Sequence, residues 1–559
     1  MKNPTFYQIT DLHLYAGERI GSYGEAYDRK AQSDQKCMKE SVAIIQSAFD
    51  AMAADKETDV VVITGDVTFD GEKASHDLLV EMLTQLKKSG KRIFVITATH
   101  DYRMNARRYT DSGAEPVEKY AREELREVYA DFGWNEAVAE HPASMSYAVK
   151  MFPGWRFLMM NDDGPEGYCG YKDDLLNWVK AQAADAKKDG ERIIAFTHHP
   201  MLPPAQIYPM FSHGQMLYGY ETTAPMFADL GIEFIFTGHT HMQSVSHLDT
   251  IRGGRLYHIN TGSVIGHPAP YRKMTILPDG IDVKTLNVTA FDWDLGGQSV
   301  EEYMRDHFLF MLRTIFDTME RDHEEFKYYT PSFAMSDKTV DMLGPLLTLF
   351  GKIVNGLTFG GLAKILLMPR AVQPSVKDVK VRDFLLDLIS DLYSGKREFT
   401  PDTAIYQSFM PMAKRLGKLV RLTDYYGNRV HLEDLFEDLM TNVKEEDNTA
   451  VFLPFVRKRY RVSGAGFSSS FLCAMLRGEK RLKEGPFYVR SHPQTHDRSF
   501  ECGRSGHRHG SSGCTRLRFH PLLGVYCRSA SAFQHRAVQH ACQALSRPHD
   551  RPEQFYADF

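Results

Sequence analysis

The stretch that decides the fold is Asp59-Val-Val-Val-Ile-Thr-Gly-Asp66. Four consecutive β-branched aliphatic residues, with no polar residue alternating between them, suit a strand buried on both faces. The run stops on a glycine and an aspartate, so a carboxylate stands just beyond the strand. Working outward, the same construction recurs. FYQIT leads into Asp11-Leu-His13, RIFVIT into Ala98-Thr-His-Asp101, RIIAFT into His198-His-Pro200, and FIFT into Gly238-His-Thr-His241. RFLMM, RLYHINT and KMTIL complete the predicted strands. Between them, KESVAIIQSAFDAMAADK and SHDLLVEMLTQLKKSG carry apolar residues at helical spacing. In the second, Ser75 is the expected N-cap and Gly90 lies just past the end. Alternating strands and helices predict an α/β layered domain.

With 559 residues the chain exceeds what one core supports. A formal net charge of -5 gives no basic footprint for nucleic acid. Seven cysteines, only Cys37 and Cys169 of them before residue 470, form no CxxC pair and fit a reducing, cytoplasmic setting. The first residues enter a strand without an apolar leader. The stretch PLLTLFGKIVNGLTFGGLAKILLM is interrupted by Lys352, Asn355 and Lys364, so it reads as helix-and-turn core, not a membrane span.

Three regions follow. Residues 1–294 hold the strand-helix alternation. Residues 295–485 read as a mainly α-helical accessory domain, with amphipathic runs such as EEYMRDHFLFMLRTIFDTMERDHEEF, VRDFLLDLISDLYSG and HLEDLFEDLMTNVKEE. Residues 486–559 form an irregular tail with ten arginines and eight histidines from residue 490 onward and no lysine. Three readings of that tail stay open: a frame-shifted sequence, a disordered segment, or a basic or metal-binding arm.

In open α/β sheets ligands bind outside the carboxyl ends of strands. Asp11, His13, Asp66, His198, His239 and His241 would therefore meet at one edge. Carboxylates and imidazoles suit Mn, Fe, Zn or Co. Six such groups exceed the three protein ligands of a single catalytic site but suit two ions sharing a carboxylate. A water between two such ions becomes a nucleophile near neutral pH, and the pair stabilises both oxygens of an in-line displacement. Phosphate-ester hydrolysis fits that best.

The ordered set DLH, GD, HD, THHP and GHTH over residues 5–290 resembles the calcineurin-like metallophosphoesterase superfamily. The resemblance implies a layered β-sandwich flanked by helices, and two divalent or trivalent transition-metal ions. It implies that Asp11, His13 and His241 hold the first ion, that Asp66 bridges, and that His198 and His239 hold the second. His100 would stabilise transition-state oxygens or protonate the leaving group, with Asp101 orienting its ring. Arg103 and His199 are candidate substrate contacts, and the loop through Pro268 and Tyr271-Arg272 is either a wall of the cleft or an ordinary turn with a surface arginine. The family pattern Gly-Asn-His-Asp reads Ala98-Thr99-His100-Asp101 here, and the family asparagine is a metal ligand. Thr99 would bind through its hydroxyl, hold a water that binds, or leave the second site weaker. The expected function is a metal-dependent phosphoesterase, with diesters favoured over monoesters. Alternatives are a nuclease of the same superfamily or a non-catalytic binding protein with a weakened second metal site. The expected partner is a small phosphate-ester substrate, with no membrane partner and nucleic acid disfavoured.

Overall fold

A computed structural model describes residues 2–456, apart from 164–168, 212, 330–335, 397, 420–421, 425–426 and 442–447. The predicted tail, and the end of the predicted helical region, lie outside the described residues. Among the described residues the core is two sheets packed face to face. One runs in the order Ala450–Pro454, Gly280–Asn287, Pro270–Leu277, Thr5–Ile9, Val60–Thr64, Arg92–Ile96. The other runs Ser244–Asp249, Arg255–Asn260, Ile232–Thr237, Arg192–Phe196, Trp155–Met159, Ser146–Phe152, Ala139–His141. Phe6 of the first sheet meets Phe157, Phe196 and Phe236 of the second edge to face, at 5.1, 5.9 and 5.6 Å between ring centroids. Such pairs add to plain area burial and set the spacing of the layers.

Val60–Thr64 is buried at every position, as its unbroken β-branched run requires. Thr5–Ile9, Val60–Thr64 and Arg92–Ile96 pair in parallel. So do Trp155–Met159, Arg192–Phe196, Ile232–Thr237 and Arg255–Asn260. The carboxyl ends of five site-bearing strands therefore share one edge. Helices Ser41–Ala54 and Lys73–Lys88 pack their apolar faces on the first sheet. Asp173–Asp189 and Tyr220–Leu230 cover the second. The helix expected to start after Ser75 begins at Lys73. Ser75 lies inside it, donating to Glu72 Oε2 at 3.1 Å and accepting from the Ala16 amide.

Beyond residue 295 the described residues are mainly helical: Val300–Arg321, His323–Lys327, Asp337–Gly356, Phe359–Ile365, Val381–Ser394, Ala404–Leu419 and Leu432–Thr441, with a short antiparallel pair, Leu422–Thr423 and Arg429–Val430, before the last of them. Ser299 caps the first of these in a reciprocal capping box with Glu302. A strand the sequence did not reveal, Ala450–Pro454, then returns and pairs antiparallel with Gly280–Asn287. The helices are thus inserted ahead of an edge strand of the first sheet. Arg272 stitches that return. It is fully buried and donates to Thr261 Oγ1, Thr285 Oγ1, Gln243 Oε1 and the carbonyls of Asn260 and Asn448. The sequence reading of Tyr271-Arg272 as a cleft wall is corrected: both belong to the strand Pro270–Leu277, and Arg272 faces the interior.

Candidate metal centre

The loops beyond the five strands are bound to one another by backbone. The Asp11 amide donates to Gly65 O at 3.1 Å and the His13 amide to Asp66 O at 2.9 Å. Gly238 N reaches His198 O at 3.0 Å. Two glycines permit this closeness. A Cβ on Gly65 would lie 2.4 Å from His198 Nδ1, and one on Gly238 would lie 2.2 Å from Asp11 Oδ2. Among the described residues eight non-glycines have positive φ, and five of them are Asp11 (51°), His13 (39°), Asp66 (48°), His239 (69°) and His241 (56°). Each such residue costs about 1–3 kcal/mol, so the surrounding contacts hold the backbone where these side chains need it.

The side chains converge in two overlapping clusters. Ligand atoms of Asp11, His13 and His241 lie within 4.8 Å of one another, and so do those of Asp66, His198 and His239. His241 Nε2 is 3.2 Å from both His13 Nε2 and Asp11 Oδ1. Asp66 Oδ2 stands between the clusters, 3.0 Å from His198 Nε2 and 3.8 Å from His13 Nε2. Flanking carbonyls and amides set the tautomers. His198 Nδ1 donates to Thr64 O at 2.8 Å, which leaves Nε2 aimed at the carboxylates. His239 Nε2 donates to Gln215 Oε1 at 2.7 Å, which frees Nδ1.

The ionisation states suit metal ligands. Burial opposes charge on Asp11 and Asp66, but the flanking imidazoles outweigh it and hold both carboxyls well below the usual range. Burial keeps His13 and His239 neutral by lowering their pKa. Burial also opposes charge on His198, yet Asp66 and Asp11 lift it to about 9, so a cation bound there displaces a proton. Buried imidazole nitrogens and anionic oxygens converging on one space call for positive charge, and a pair of transition-metal ions fits this donor set.

His100 lies beside these clusters, its ring edge-on to His13 at 4.6 Å. One of its ring nitrogens lies within 4.8 Å of ligand atoms of His13 and Asp66. Its Nδ1 is 2.5 Å from Phe69 O and 3.0 Å from Asp70 Oδ1. Asp70 and the Phe69 carbonyl therefore orient the ring, which corrects the assignment of that task to Asp101. Asp101 instead accepts from the amides of Ala98 at 2.7 Å and Thr68 at 2.9 Å, closing the single 3-10 turn Thr99–Asp101. Burial and the charge of Asp66 push its carboxyl up to about 7. Thr99 is buried, with its hydroxyl 3.5 Å from Asp66 Oδ1, at the outer limit of a hydrogen bond.

The two candidate substrate contacts are engaged elsewhere. Arg103 Nη2 is 2.5 Å from the buried Asp163 carboxylate. His199 is buried, with Nδ1 2.8 Å from Asp162 Oδ1, and its ring lies 4.0 Å from that of His239. It backs a metal-ligand candidate. Asp162, which the sequence reading missed, also accepts from the Thr197 hydroxyl and the amides of His198 and His199. Lys36 was missed too. It is buried, its ammonium lies 4.5 Å over the Phe69 ring, and its charge acts on His13 and His100.

Residues 4–243 match the family model described as calcineurin-like phosphoesterase. A dimetal phosphatase from Danio rerio is similar at 14% identity, with 52% of this chain and 98% of that one covered and a TM-score of 0.38. A purple acid phosphatase from yellow lupin (Lupinus luteus) seeds is similar at 11% identity, with 51% of each chain covered and a TM-score of 0.33. A phosphopantetheinyl hydrolase from Mycobacterium tuberculosis is similar at 16% identity, with 50% and 97% covered and a TM-score of 0.25. No curated protein matches the sequence. With the strand-end motifs gathered into one centre on a two-layered sandwich, the segment spanning residues 4–243 belongs to the calcineurin-like phosphoesterase family.

Proposed function

We propose that this phosphohydrolase cleaves phosphodiesters in preference to monoesters, at a centre holding two transition-metal ions drawn from manganese, iron, zinc or cobalt. The observation that carries the two-ion reading is Asp66, whose one oxygen lies beside both histidine clusters. Asp11, His13 and His241 would hold one ion, His198 and His239 the other, with Asp66 shared. When bound, such ions supply Lewis-acid polarisation of phosphoryl oxygens and acidify a water. The chain's own residues do the rest. Asp70 and the Phe69 carbonyl hold the proton of His100 Nδ1, so the ring's other nitrogen is the one available to an ester oxygen. Burial opposes charge on this imidazole, but Asp66 and Asp70 outweigh it and raise its pKa, which suits a general acid.

Preference for diesters rests on Arg103. A monoester dianion carries one more charge than a diester, and the guanidinium next in sequence to the His100 loop is committed to Asp163. The buried free thiols of Cys37 and Cys169 support a reducing compartment such as the cytoplasm. The test is a comparison of kcat/KM for a bis-aryl phosphodiester and the matching aryl monoester. A ratio of about tenfold or more, equivalent to about 1.4 kcal/mol, is expected in favour of the diester. A ratio favouring the monoester would overturn the diester assignment.

A further inference from the structure

The helix Asp337–Gly356 lies in the run that the sequence suggests is core, yet only one of its faces is covered. Val340, Leu347 and Val354 are buried, and Gly351 lets the backbone press against Glu320 of the helix Val300–Arg321. The opposite face exposes Met342, Leu346, Leu349, Phe350 and Ile353, at 73, 60, 55, 49 and 38%. Their spacing of four, three, one and three residues makes a single stripe along the helix. An apolar stripe of this length on a surface marks an interaction site. Past the turn, Ile365 and Leu367 are exposed at 65 and 82%, and Leu367 adopts a strained φ of 58° while its side chain faces solvent.

The charge pattern selects the occupant. From Met342 to Arg370 the chain carries Lys352, Lys364 and Arg370 and no aspartate or glutamate, in a protein whose net charge is -5. Lys352, Lys364 and Arg370 are all exposed. A parallel second copy would set Lys352, Lys364 and Arg370 against their own counterparts. Residues 490–559 carry ten arginines against five acidic residues, so they match the face no better. The helix's two carboxylates, Asp337 and Asp341, stand in its first turns, Asp341 paired with Lys327 at 2.7 Å, and apolar anchors among the cations beyond them are the chemistry of a helix lying flat in an anionic lipid surface. Among the described residues no helix is long and apolar enough to cross a membrane, so the contact would be peripheral. We infer that the exposed face of Asp337–Gly356 docks the protein on an anionic lipid bilayer. This inference stands apart from the phosphoesterase reading.

The test is co-sedimentation of the full chain with vesicles of phosphatidylcholine alone and of phosphatidylcholine mixed with phosphatidylglycerol. Binding is expected to the mixed vesicles and to weaken with added salt. The double variant Leu346→Glu with Phe350→Glu should reduce partitioning about tenfold or more, and Lys352→Glu should reduce it in the same direction. All three positions are exposed, and the rate of hydrolysis of a soluble phosphoester by each variant reports that the fold is retained. No binding to the mixed vesicles, or equal binding by the variants, would overturn the proposal. A wild-type dimer in light scattering that the double variant dissolves would also overturn it and assign the face to self-association.

Discussion

Acidification should loosen the helical layer from the phosphoesterase domain through His267. This residue is 4% exposed, stacks on Phe308 at 6.2 Å and places Nε2 3.1 Å from Ser390 Oγ on the helix Val381–Ser394. Its Nδ1 is buried without a hydrogen-bond partner, so the ring has nowhere to place a second proton. Burial lowers its pKa, Arg305 and Lys396 lower it further, and Glu301 opposes them, leaving it at about 4. A folded-state pKa below the ordinary value of about 6.5 means stability that is present above pH 6.5 and lost as pH falls through 4. The difference of roughly 2.5 pH units corresponds to about 3 kcal/mol. His267→Gln retains a donor for Ser390 and cannot titrate. Denaturant unfolding of both proteins at pH 7 and pH 4 measures the effect. Every other titrating group is common to the two, so wild type should lose about 3 kcal/mol more than the variant over that interval. Parallel losses would refute the reasoning.

Four variants at the centre follow from the geometry. His100→Ala should lower kcat about 10²- to 10⁴-fold while leaving metal content intact, as read by kinetics beside elemental analysis. Asp70→Asn removes a charge that raises the His100 pKa, so the alkaline limb of the kcat profile should move to lower pH, whereas Asp101→Asn should leave that limb in place. Thr99→Asn gives up only a marginal 3.5 Å contact and adds an amide carbonyl; affinity for the second ion should rise on the order of tenfold, measured by competition with a chelator, and an unchanged affinity would show that Thr99 is no weak point.

The layered α/β core and the site-bearing strand ends were legible because Val60–Thr64 and its neighbours are short apolar runs that stop on Asp or His. Parallel pairing then brings those ends together without any further information in the loops. Less legible were contacts decided by the path of a loop. His100 and Asp101 are adjacent in sequence, yet the 3-10 turn sends their side chains apart, and Asp70, thirty positions upstream, reaches the imidazole instead. Asp162 carried no signal, since a carboxylate after RFLMM and one asparagine resembles a surface turn. Arg272 reads as a surface arginine until five acceptors are found around it. The helix Asp337–Gly356 shows the limit of hydropathy: apolar residues on both faces suggest burial, and only the packing of Gly351 against Glu320 decides which face is covered.

The most direct test of the central claim is the metal content of the purified chain, measured by elemental analysis for wild type and Asp66→Ala side by side. The shared position of Asp66 predicts close to two transition-metal ions per wild-type chain and the loss of most of both in the variant. One ion or fewer in wild type, or two retained by Asp66→Ala, would contradict a centre built around that carboxylate.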